Sequence, residues 1–313
     1  MPHPPHQQPS PHSPQHSRDA ATHPDTARAH SVWPTAQHSP ARQRRGRYTP
    51  ASTAHPAKML PAIAAHAIQH YTQPGDLVLD PMCGIGTTLV EATDLDRRAV
   101  GIEYEHRWAQ VATDNLTLAR HRHPELDACV YTGDARHLDR VLPEQLHGQA
   151  ALVVTSPPYG PSTHGQVTTR PGGGVHKRDY RYGPTHDRGN LANLTLTRLL
   201  DGFTQILTTA ASYLKPGGHV VLTLRPWRER GALIDLPSHI TTCAHRAGLT
   251  PTERCVALLA RVADDHLVAR GSFFAREGIR KHRRAGLPAH LITHEDVLVL
   301  RKPEIHSRTE NEA

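Results

Sequence analysis

The chain has 313 residues and a formal net charge of +7, with 37% hydrophobic and 4% aromatic residues, which fits one buried core with polar flanks better than two full domains. The positive balance suits a polyanionic partner and suits a basic, solubilising surface equally well. Four widely spaced cysteines without a CxxC pair argue against a zinc knuckle and against a secreted disulfide framework; with no apolar leader and no run near the roughly 20 apolar residues that span a bilayer, the chain reads as cytoplasmic and without a membrane partner.

Residues 1–45 are dominated by Pro, His, Ser, Gln and Ala, a composition that buries too little surface to offset the entropy of ordering, so a disordered tail is expected. Many of the 26 histidines fall there without a repeating ligand spacing, and no metal site is expected. The tail ends in ARQRRGRY, Ala41 to Tyr48, whose arginines read equally as phosphate contacts or as a solvated charge run. A single folded domain is placed at 46–303, followed by a flexible C-terminal tail at 304–313.

From residue 56 short apolar runs alternate with helical stretches. Leu77–Asp80, Ala99–Glu103, Ala128–Thr132, Ala151–Ser156 and His219–Leu224 are continuous apolar runs, as expected of strands buried on both faces. Helix-length segments follow them at Thr87–Leu95, His106–His121 and Leu194–Leu214, the last closed by Lys215, Pro216 and Gly217. A helix near Leu236–Ala247 and strands at Arg254–Val262 and Asp296–Lys302 would complete a seven-stranded, Rossmann-like α/β sheet with helices on both faces.

The stretch LVLDPMCGIGTTLVEA is a strand, a tight glycine turn and a helix start. Gly84 and Gly86 allow the close approach that a nucleotide-like ligand over a strand's carboxyl end requires, while Leu89 stands where the dinucleotide fingerprint wants a third glycine, which disfavours NAD. Glu103 ends the second strand about 20 residues beyond the loop, where a carboxylate accepts from ribose hydroxyls. Asp134, after the third strand, is placed to accept from an adenine amino group.

DPMCGIGTT, HPAKMLPAI and TSPPYG together resemble the S-adenosylmethionine-dependent DNA amino-methyltransferases, which modify N4 of cytosine or N6 of adenine. The resemblance covers about residues 48–225. It implies S-adenosylmethionine as cofactor, with Asp80, Cys83, Gly84, Gly86 and Thr87 along the methionine and ribose region, Glu103 on the ribose and Asp134 on the adenine. Lys58 is implied at the methionine carboxylate, although an exposed lysine at a helix start is an equal reading.

An exocyclic amine delocalises its lone pair into the ring, so its hydrogens must be engaged by acceptors. The Ser156 hydroxyl and the Pro157 carbonyl supply two, and Pro157 and Pro158 fix the direction of that carbonyl through their locked φ angles. Tyr159 is placed to stack on a base taken out of the helix, offsetting about 1–3 kcal/mol of unstacking. In the family a serine at the first position of this turn accompanies N4-cytosine products more often, and N4-cytosine is favoured here over N6-adenine.

A long basic, glycine-rich loop follows, in which Arg170, Lys177, Arg178 and Arg181 are expected on phosphates. Arg276 to Gly286, REGIRKHRRAG, extends that track or is a solvated helix. The separate recognition domain of many family members has no room here, which leaves target recognition to the loop, the C-terminal segment, a second subunit such as a homodimer mate, or a specificity partner. DNA is the expected partner. RNA guanine-N2 methylation is the alternative, a catalytically silent nucleic-acid-binding protein the next, and a protein-glutamine methyltransferase fits the basic loop least.

Overall fold

The computed structural model describes residues 30–125, 127–158, 166–170, 173–178, 187, 189–229, 232–270 and 273–304, with backbone alone at 166–170, 173–178, 228–229 and 273–275. Residues 1–29 of the expected tail, Tyr159, Arg181 and residues 305–313 lie outside the described residues. From Ser31 onward the chain forms one compact unit.

In chain order the elements are β1 (Val32–Trp33), α1 (Pro40–Arg44), α2 (Pro61–Tyr71), β2 (Leu77–Asp80), α3 (Thr87–Thr93), β3 (Arg98–Glu103), α4 (His106–Arg120), β4 (Ala128–Thr132) and β5 (Ala150–Thr155). A β6 (Gln166–Arg170) and β7 (Gly173–Arg178) hairpin follows, then α5 (Leu196–Tyr213), β8 (Leu214–Leu224), a β9 (Trp227–Glu229) and β10 (Ala232–Ile234) hairpin, and α6 (Leu236–Arg246). The chain continues through β11 (Thr250–Leu258), a β12 (Arg261–Ala263) and β13 (His266–Val268) hairpin, α7 (Phe273–Arg284) and β14 (His294–Arg301).

Eight strands form the main sheet in the order β1-β11-β14-β8-β5-β2-β3-β4. Strands β8, β5, β2, β3 and β4 are mutually parallel, and β14 runs antiparallel between β8 and β11. All residues of β2 and β5 are buried, which is why these strands read as unbroken apolar runs. Helices α2, α3 and α4 bury Ile63, Leu89 and Trp108 on one face, while α5 and α6 bury Phe203, Ile206 and Ile240 on the other.

After β2 the chain moves outward to β3 and β4, and after β4 it crosses back to β5 on the other side of β2. The carboxyl ends of β2 and β5 therefore meet at a topological switch point, where such sheets hold their ligands. Leu79 pairs with Val153 there, so the glycine loop and the Ser156 turn leave the sheet side by side.

Three expectations change. Residues 31–45, read as tail, are folded: Trp33 is 2% exposed and its strand pairs with β11, and Pro40 starts α1 behind a Ser39 cap. One indole at the sheet edge, packed at a tilt against the His66 ring at 4.2 Å, anchors a segment whose composition is otherwise polar. The Lys215-Pro216-Gly217 stop ends α5 yet lies inside β8. The expected Arg254–Val262 strand breaks after Leu258, and its last residues join the separate β12–β13 hairpin.

Candidate active site

A cleft of about 750 Å³, counting solvent at its mouth, opens at the switch point, lined by Gly84, Glu103, Asp134, Ser156, Pro157 and Pro158 among others. Residues from four strand ends thus line one cleft.

The glycine loop is bent by its own backbone requirements. Gly84 sits at φ +55, and a Cβ there would come 3.2 Å from His55 Nε2. Its N–H donates to Glu103 Oε2 at 2.8 Å, while Glu105 N–H donates to Oε1 at 2.9 Å. Each carboxylate oxygen spends one acceptor position on the backbone and has a second, and Glu103 lines the cleft, a two-acceptor arrangement that matches a vicinal diol. Glu103 is 9% exposed, and burial pushes its carboxyl up to about 7 against the two backbone donors that favour the charge.

Asp80, Cys83, Gly86 and Thr87 do not line the cleft. Asp80 is buried, accepting from Thr88 Oγ1 at 2.6 Å and Met82 N–H at 3.1 Å, with its carboxyl raised to about 6 by burial. Its carboxylate holds the loop in shape. Cys83 is buried beneath the loop, where its N–H donates to the Ile102 carbonyl at 2.9 Å. Gly86 caps α3 at φ +77 against Ala112, so backbone geometry alone accounts for that glycine. Thr87 is the buried first residue of α3.

Lys58 is also absent from the lining. Its Nζ folds back to donate to the carbonyls of His55 at 2.6 Å and Thr53 at 3.2 Å, and burial lowers it to about 8. The lysine braces the turn that carries His55. That histidine lines the cleft, stacks edge-on to Trp108 at 4.6 Å and is pushed down to about 3, first by burial and then by Lys58, so its ring is neutral at physiological pH.

Asp134 is held by Arg136, whose Nε and Nη2 donate to it at 2.9 and 2.6 Å. Burial acts to raise the Asp134 carboxyl, and the arginine outweighs it, leaving it below its ordinary value. Arg136 also reaches the Gly189 carbonyl at 3.1 Å, Tyr104 donates to Asp187 at 2.6 Å, and Asn190 donates to Glu105 at 2.7 Å. Asp187, Gly189 and Asn190, which follow the basic loop, are thereby tied across the ends of β3 and β4.

Tyr104, Asn190 and His55 line the cleft without having been assigned a role from sequence. Two of them carried a signal: His55 heads the HPAKMLPAI stretch and Tyr104 stands next to Glu103. Arg170, Lys177 and Arg178 lie on the β6–β7 hairpin, with their side chains outside the described residues. The ARQRRGRY arginines split: Arg47 pairs with Glu91 and Asp94 at 2.8 and 2.5 Å, and Arg44 donates to the Met59 carbonyl at 2.5 Å. Both are internal props for α3 and the chain before α2, while Arg42 and Arg45 are not engaged in ion pairs among the described residues.

The fold is that of a Rossmann-like α/β domain with a cleft at the carboxyl ends of its central strands. The sequence model of the N6 and N4 methyltransferases, described as DNA methylase, matches residues 3–114, a span that includes the glycine loop and stops before Ser156. Two archaeal relatives are similar over part of their length. The tRNA (guanine(10)-N2)-dimethyltransferase of Methanocaldococcus jannaschii is 33% identical over 112 residues, covering 35% of this chain and 31% of the relative. That of Methanothermobacter thermautotrophicus is 32% identical over 107 residues, covering 34% and 29%. The matches thus span about a third of the relatives' length. Among solved structures, TrmN from Thermus thermophilus superposes with a TM-score of 0.47 at 18% identity, covering 83% of this chain and 53% of its own. No helix among the described residues is long and apolar enough to cross a membrane.

Proposed function

We propose that this protein transfers a methyl group to an exocyclic amino nitrogen of a base in DNA, with cytosine N4 favoured over adenine N6. The observation that carries the reading is the shared cleft, in which a two-acceptor carboxylate at Glu103 and the Ser156-Pro157-Pro158 turn face one space.

The donor set fits the adenosyl group. Glu103 offers two free acceptor positions for the ribose diol, Asp134 an acceptor for the adenine amine, and Gly84 the room that a Cβ would fill. When bound, S-adenosylmethionine supplies an electrophilic methyl on a sulfonium whose departure leaves a neutral thioether.

The chain's own residues have a positioning task. The Ser156 hydroxyl and Pro157 carbonyl accept the two N–H bonds of the target amine, which turns its lone pair out of the ring plane, and once the new N–C bond has formed the now cationic nitrogen releases one of those protons to solvent water. No strong base is required, because the attacking nitrogen becomes acidic in the step, and the rate gain comes from orientation. The half-buried Ser156 and buried Pro157 restrict solvent access to those acceptors.

The archaeal relatives favour one second reading. Their names attach them to a guanine N2 in tRNA, an exocyclic amine with the same need for two acceptors, so the turn serves that chemistry as well. Ser156→Ala tests what the readings share: methyl transfer falls by about 10–100-fold, the worth of one positioned hydrogen bond to a reacting group, while S-adenosylhomocysteine affinity stays within about twofold. Unchanged turnover would remove Ser156 from the mechanism.

A further inference from the structure

We infer that the described part of the segment between β11 and β14 is a nucleic-acid grip, with the exposed side of α7 on the phosphodiester backbone of the strand whose base enters at Ser156. The inference rests on the proposed function and adds a backbone-holding surface to it.

Sheet register locates the segment. Thr155 pairs with Leu222, and Leu222 with Leu298. Because β14 is antiparallel, its first residue His294, paired with Leu258, stands four residues beyond that level on the carboxyl side. At about 3.3 Å per residue and about 4.8 Å per strand, the root of the segment rises roughly 13 Å above Thr155 and roughly 10 Å to its side. The segment is therefore rooted on the cleft side of the sheet. An antiparallel pair needs a turn of only about two to five residues, so this long excursion is a feature rather than a connection.

The segment is tied down. Leu259 N–H donates to the Thr293 carbonyl at 2.7 Å at its root, where Ala260 and Ala289 are buried, and Arg270 donates to the Ala36 and Gln37 carbonyls at 3.0 and 3.2 Å. It is also where much of the charge resides: seven of its residues are Lys or Arg (261, 270, 276, 280, 281, 283, 284) and three are acidic (264, 265, 277), a net of +4 out of +7 for the chain.

On α7 the exposed arginines Arg276, Arg280, Arg283 and Arg284 recur at i, i+4, i+7 and i+8, one helical face, while Ile279 and His282 turn inward and are half-buried. Arg276 and Arg283 spend a donor each on the Ala269 and Ala289 carbonyls, and Arg280 pairs with Glu277. The side chains of Lys281 and Arg284 make no hydrogen bond or ion pair among the described residues. A pair of uncommitted cations on a segment rooted on the cleft side of the sheet suits phosphates, contacts that hold a strand without reading its sequence.

The test is the salt dependence of binding to a random-sequence duplex DNA and, in parallel, to an unmodified tRNA transcript, comparing wild type with the Lys281→Ala/Arg284→Ala double variant. Arg98→Ala, at the opposite edge of the sheet where β3 begins, is the control, and melting curves confirm that all three are folded. Each lost phosphate contact lowers the slope of log K against log salt by about 0.9 on duplex and about 0.7 on single strands. The double variant is expected to lose about 1.8 on duplex DNA or about 1.4 on single-stranded RNA regions, with the control unchanged. A wild type that binds nucleic acid with a slope the double variant preserves overturns the grip and leaves the proposed function standing. A slope that falls as expected in a protein that methylates neither nucleic acid keeps the grip and overturns the function. Binding to neither overturns both.

Discussion

In a Glu103→Gln variant the side chain keeps its shape and loses one acceptor oxygen. The Gly84 and Glu105 N–H groups now reach separate oxygens at 2.8 and 2.9 Å; an amide serves one of them and turns its own NH2 toward the other. A buried donor left without a partner costs about 1–3 kcal/mol, and this cost falls on the folded protein whether or not ligand is present. Binding is affected separately, because hydrogen bonds from the diol to a charged acceptor are worth about 1.5–3 kcal/mol, or about 10–150-fold in affinity. Titration of S-adenosylhomocysteine by calorimetry reads this directly. The same carboxyl gives a pH signature. Because burial raises it to about 7, the wild-type acceptor fills with a proton below neutrality, and affinity falls by up to about tenfold per pH unit beneath that value. For apo-protein stability, the folded state keeps this proton up to about pH 7 while the unfolded chain releases it near its ordinary value. Rising pH therefore withdraws stability between the two, and the glutamine variant lacks that slope. Wild-type affinity in the variant, or a pH-independent wild type, would refute the diol assignment.

Arg47→Ala removes one partner each of the nearly buried Glu91, which keeps the Tyr48 hydroxyl, and of Asp94, which keeps Arg122, and is expected to lower stability by about 1–3 kcal/mol, read as a shift of the denaturant midpoint without change of slope. Gly101→Ala would set a Cβ 2.6 Å from Leu89 Cδ1 and 2.9 Å from Cys83 Sγ; the overpacking is expected to cost about 1–3 kcal/mol and to weaken cofactor binding by displacing the loop above it. Tyr104→Phe deletes the hydrogen bond to Asp187 and is expected to speed S-adenosylhomocysteine dissociation about two- to tenfold in a stopped-flow chase, with an unchanged melting temperature.

The parallel strands and the loop that lies over them were legible because each signal is local: β2 and β5 are continuous apolar runs, and Gly84 and Glu103 sit at fixed distances from a strand end. What the sequence hid is where a long-range partner decides. Trp33 looks isolated among polar residues until β11 pairs beside it. Arg44 and Arg47 look like surface charge, and only the fold brings them to Met59, Glu91 and Asp94. Lys58 is positioned to reach a ligand by motif, yet the Thr53 and His55 carbonyls lie closer. Asn190 carries no motif and enters the site because the chain returns from the basic loop over Glu105.

The most direct measurement is mass spectrometry of nucleosides recovered from DNA, and separately from tRNA, after incubation with the protein and isotopically labelled S-adenosylmethionine. Labelled N4-methylcytosine, or N6-methyladenine, is expected in DNA, with the signal lowered about 10–100-fold in Ser156→Ala. Label confined to guanine in RNA would contradict the choice of DNA while preserving amino-group transfer. No label in either nucleic acid from protein that binds S-adenosylhomocysteine would contradict the claim that this cleft methylates a base.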